Sequence, residues 1–76
     1  MRIQVDDSLL IEVGFSIADR EDGADDDISV SFHQFGPKGA WLFPANETSV
    51  LLTAVQAEQL ASALIQAAQE SKSTPL

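Results

Sequence analysis

Between residues 9 and 18 the chain alternates strictly. Leu9, Ile11, Val13, Phe15 and Ile17 fall on one side, and Leu10, Glu12, Gly14, Ser16 and Ala18 on the other. A period of two over ten residues fits a half-buried strand and not a helix. Ile28, Val30 and Phe32 repeat the pattern with Ser29, Ser31 and His33 opposite. Strands with one apolar and one polar face belong to an antiparallel sheet that is covered on one side and wet on the other. This constraint decides the fold class before composition enters.

The remaining strands are shorter. Ile3 and Val5 alternate before the turn residues Asp6, Asp7 and Ser8. Phe35 breaks the parity of the second long strand and marks its end, followed by a Gly36-Pro37-Lys38-Gly39 turn. Residues 40–43 read as a short strand carrying Trp41 and Phe43, stopped by Pro44. Residues 49–52 read as the last strand.

Thr53 is then a good N-cap, and Gln56 completes a capping box. Ala57, Leu60, Ala61, Leu64, Ile65, Ala67 and Ala68 form one stripe of a helix expected over residues 54–70. The fold expected is α+β: an antiparallel four- to five-strand meander with one C-terminal amphipathic helix packed on one face. Residues 1–70 form its single domain and 71–76 a flexible tail. Trp41, Phe43 and Phe35 add more apolar area than one alanine-rich helix hides, which invites a second copy and so a homodimer.

Seventy-six residues without cysteine leave no disulfide and no thiolate metal site. No run approaches the roughly 20 apolar residues of a membrane span, and the first residues do not form a secretory signal peptide. A cytoplasmic location is expected.

The net charge is −8. Residues 1–28 carry nine of the twelve acids, and residues 19–27 alone carry Asp19, Glu21, Asp22, Asp25, Asp26 and Asp27. Such a field repels nucleic acid and anionic lipid, since binding either requires positive charge. A protein partner with a basic surface suits it.

Catalytic chemistry finds no support in the sequence. The acidic run fails the calcium-loop spacing, because glycine or valine stands where ligands are required. His33 is the only histidine, and the serines on its own strand point the same way without meeting it; no nucleophile elbow is present. The glycine-rich turn lacks the P-loop lysine-hydroxyl pair and leads into a strand pattern. No enzyme, cofactor or metal is expected. The residues read as partner contacts are Asp19, Glu21, Asp22, Asp25, Asp26, Asp27, Glu47 and Trp41. Against that stands the plainer reading, in which the acids only solvate a loop and Trp41 or Phe43 belongs to the core.

The segment Leu52-Thr53-Ala54-Val55-Gln56-Ala57-Glu58-Gln59-Leu60-Ala61-Ser62-Ala63-Leu64-Ile65-Gln66-Ala67-Ala68 resembles the ending of small uncharacterised bacterial and phage reading frames. These close with an L-T-x-x-x-A-x-x-L-A-x-A-L helix. In size and acidity the chain also resembles acidic phage inhibitors of the anti-CRISPR or DNA-mimic type. That likeness implies an inhibitor that contacts a basic surface. The competing expectation is a structural homo-oligomer or accessory subunit that associates through the apolar strand faces.

Overall fold

A computed structural model describes residues 1–17, 21 and 23–75. Four strands form one antiparallel sheet in sequence order: β1 (Arg2–Asp6), β2 (Leu9–Phe15), β3 (Ile28–Gln34) and β4 (Glu47–Leu52). One helix, α1 (Ala54–Ser73), follows. The α+β meander is thus as the alternation predicts, at the lower of the two strand counts.

The register shows why. Ile3, Ile11, Phe32 and Thr48 stand directly opposite one another across the four strands, and so do Val13, Val30 and Val50. Phe15, Ile28 and Leu52 line up at one end of the same face. Arg2, Glu12, Ser31 and Ser49 share the other face, where the Ser31 and Ser49 hydroxyls are hydrogen-bonded at 2.9 Å. A one-residue slip between any two strands would bring polar and apolar rows onto the same face, so the alternation fixes the pairing.

The β1–β2 turn is tightened by Asp6. Its Oδ1 accepts from the Ser8 backbone N–H and the Ser8 hydroxyl, both at 2.7 Å. These bonds favour the charged carboxylate and hold Asp6 below its ordinary range, the Ser8 hydroxyl contributing most.

Residues 40–43 are not a strand. A single 3-10 turn (Lys38–Ala40) follows Gly36, whose positive φ of 87° suits glycine alone. The rest of the connection is organised by one side chain, Gln34, which is 5% exposed. Its Oε1 accepts from the Leu42 and Phe43 backbone N–H groups at 2.6 and 3.2 Å. Its Nε2 donates to the Ala45 and Phe43 carbonyls at 2.6 and 3.3 Å.

The primary amide therefore uses its full capacity of two donors and two acceptor sites. It occupies backbone groups that a fifth strand would have offered to a ladder. Phe43 packs on Phe32 with ring centroids 5.4 Å apart, so the connection caps one end of the apolar face. Gln34→Ala is expected to release it and cost about 2 kcal/mol. Denaturant unfolding measures the loss, and a cost near zero would show that the connection is held by other contacts.

The helix differs from expectation in placement, not in existence. It starts where the capping box predicts: Thr53 Oγ1 accepts from the Gln56 N–H at 3.2 Å, and Gln56 Oε1 accepts from the Thr53 N–H at 3.0 Å. It runs on to Ser73, three residues past the expected end, with Lys72 in the last turn where positive charge suits the helix dipole.

The helix does not lie on the sheet. No residue of α1 is buried, and Leu64 is 62% exposed. Thr53 alone links β4 to α1 and is extended, at φ −73°, ψ 164°, as N-cap residues usually are.

The radius of gyration is accordingly 15.1 Å, against about 11 Å for a compact domain of this length.

Candidate interaction surface

The meander separates the sequence-predicted contact residues. β1 and β3 run one way and β2 and β4 the other, so the connection between β2 and β3 lies at the end where Phe15, Ile28 and Leu52 meet. Glu21, Asp25, Asp26 and Asp27 belong to that connection; Asp19 and Asp22 lie outside the described residues. Glu21 and Asp25 are exposed and Asp26 is half-buried. Asp27 is only 7% exposed, and its backbone carbonyl accepts from the Ser16 N–H at 2.8 Å.

Glu47 is at the opposite end. It begins β4 and stands opposite His33, about 20 Å from the Ile28 end if β3 is fully extended. The expected fifth strand would have returned Glu47 to the acidic pole. Its absence leaves Glu47 beside the β1–β2 turn and the Lys38 connection.

Trp41 is at this end too. Half-buried, it donates from Nε1 to the Gly36 carbonyl at 3.2 Å. With Asp6, Ser8, Leu9, Gln34, Ala40 and Leu42 it lines a small hollow. Trp41 and Glu47 therefore do not join the acidic segment in one site.

Asp25 and Asp27 instead share an open cleft with Phe15, Ile28 and the first turn of α1 at Thr53, Ala54 and Val55. The acidic segment thus borders the root of the helix.

Charged side chains interact on the polar sheet face. Arg2 Nε donates to Glu12 Oε2 at 2.7 Å, and His33 Nε2 lies 3.6 Å from Glu12 Oε1. Arg2 holds the Glu12 carboxyl below its ordinary range, by hydrogen bond first and by charge second. Among the described residues no group of three or more His, Asp or Glu side chains is placed to hold a metal.

The opposite face is the larger feature. Ile3, Ile11, Val13, Phe15, Ile28, Val30, Val50 and Leu52 form a continuous surface without a charge. Phe15 is 55% exposed and Val50 45%. No apolar side chain among the described residues is buried, although 45% of the chain is hydrophobic.

Area makes the same point. A compact monomer of this mass exposes about 4,500 Å², whereas this chain exposes 5978 Å². The surplus, polar and apolar surface together, reflects a helix that stands off the sheet.

Sequence reasoning found both apolar surfaces but joined them within one chain.

No family model matches the chain, and no curated protein or solved structure is detectably similar to it. Among the described residues no helix is long and apolar enough to cross a membrane.

Proposed function

We propose that this chain is a non-enzymatic interaction protein whose working surface is its apolar sheet face together with the exposed stripe of α1. It acts as a structural homo-oligomer or accessory subunit. The observation that carries this reading is the absence of any buried apolar side chain among the described residues. A domain of this size without disulfides depends on burial of apolar area for its stability. Burial missing within one chain must be supplied by association.

A contact through the acidic segment with a basic partner surface is the second reading, and with it the phage-inhibitor class. The exposed Glu21 and Asp25 support it. The segment has lost Glu47 and Trp41 as neighbours, and Asp27 turns inward. It therefore presents less of the expected surface than the apolar face does.

Paired variants separate the two readings. Val30→Asp, at the middle of the apolar face, is expected to abolish assembly. Neutralising Glu21, Asp25 and Asp26 to glutamine and asparagine is expected to leave it intact. The opposite pattern in light scattering would transfer the function to the acidic segment.

A further inference from the structure

Resting on that reading, we propose that the partner is a second copy of this chain and that the two exchange helices. Each α1 lays its alanine-rich stripe across the apolar sheet face of the other copy.

Three observations lead there. First, each chain carries one uncovered sheet face and one uncovered helix stripe. The Thr53–Gln56 cap fixes the single linking residue, and the helix that follows stands off its own sheet with no residue buried. The two surfaces are complementary and do not meet within one copy. A two-fold axis satisfies both at once, with the same pair of patches used twice and nothing left open for further growth.

Second, the dimensions agree. A twenty-residue helix is about 30 Å long, enough to cross strands of seven residues that span about 23 Å. Ala57, Ala61 and Ala68 let it approach closely, while Leu60, Leu64 and Ile65 meet the valines of the sheet centre. The surplus area, about 1,400 Å² per chain or 2,800 Å² per pair, falls within the range of obligate homodimers.

Third, the charges stand clear. The net charge of −8 per copy opposes self-association in general. Yet the rows at the middle of the apolar face, Ile3–Ile11–Phe32–Thr48 and Val13–Val30–Val50, hold no acid, and Glu58 and Glu70 lie off the stripe. Asp25 and Asp27 border the root of the helix at Thr53, Ala54 and Val55 and not the part that crosses to the partner.

Cysteine pairing tests the exchange directly, because the chain has no cysteine of its own. Val30→Cys and Leu64→Cys are placed together in one chain, which is then oxidised at micromolar concentration. Denaturing mass analysis of the product is expected to give a covalent dimer. A monomer with an internal disulfide would overturn the exchange by showing that each helix returns to its own sheet.

In a second arm, the two single variants are refolded together before oxidation. The product expected to dominate joins one chain of each kind. Predominance of Leu64→Cys joined to itself, or of Val30→Cys joined to itself, would overturn the exchange in favour of helix-to-helix or face-to-face pairing. Should the Val30 variant fail to fold when reduced, Ile11→Cys with Leu60→Cys provides an independent pair.

The parent protein separates failure of the exchange from failure of the proposed function. A monomer at every concentration that still binds an apolar dye overturns the second copy as partner and keeps the apolar contact. A monomer that binds no dye overturns both.

Discussion

Replacing Val30 with aspartate is expected to take the protein apart. Val30 lies on β3, one of the two inner strands, flanked by Val13 on β2 and Val50 on β4. In a lone chain the new carboxylate would sit on a half-open surface and cost little, since substitutions there stay within about 0.5 kcal/mol. Beneath a partner's helix it is a buried charge with no cation in reach, because the apolar face carries none. That costs several kcal/mol in each copy, and 4 kcal/mol alone weakens association about a thousandfold.

Folding is expected to fail with assembly, since no core remains in the separated chain. The variant should sediment as a monomer with reduced helix and strand signal in circular dichroism. An assembly as tight as the parent's would remove the apolar face from the interface.

The second large effect is at Leu64. On the exposed helix of a single chain, at 62% exposure, Leu64→Ala removes almost no buried area and should cost no more than about 0.5 kcal/mol. If α1 is covered by a partner's sheet, the same change deletes buried methyl groups and leaves a cavity, at about 2–5 kcal/mol. The two cases do not overlap. Urea unfolding of parent and variant at equal chain concentration decides between them, and the larger cost is expected. Alanine is a strong helix former, so loss of helix propensity does not account for a destabilisation of that size.

Much of the fold was legible because it depends on local periodicity. The alternation in residues 9–18 and 28–33 placed β2 and β3 and named their apolar faces, although β2 stops at Phe15, short of Ile17. Thr53 and Gln56 located the start of the helix. What failed depended on contacts distant in sequence.

Trp41, Leu42 and Phe43 have the composition of a strand. The Leu42 and Phe43 backbone groups are nevertheless taken by Gln34, eight and nine residues earlier, and no local pattern marks a glutamine for that task. One strand fewer reverses the end at which every later element lies. Glu47 thus parted from the acidic segment.

The site was half legible for a related reason. Sequence shows which side chains are apolar and on which face, but not whose surface covers them. The stripe of α1 reads the same whether it lies on its own sheet or on another's. Only the fold separates the two, by leaving the stripe off its own sheet.

The most direct test of association through uncharged surfaces is the mass of the unmodified protein in solution as salt is varied. Sedimentation equilibrium at micromolar concentration is expected to give two chain masses of 8.2 kDa each. Added salt screens repulsion between two copies of net charge −8 and strengthens apolar contact, so the dimer should tighten from low to high ionic strength. A contact made through the acidic segment to a basic surface would weaken over the same range. A single chain mass at every salt concentration, with cooperative unfolding that does not change on dilution, would contradict the account.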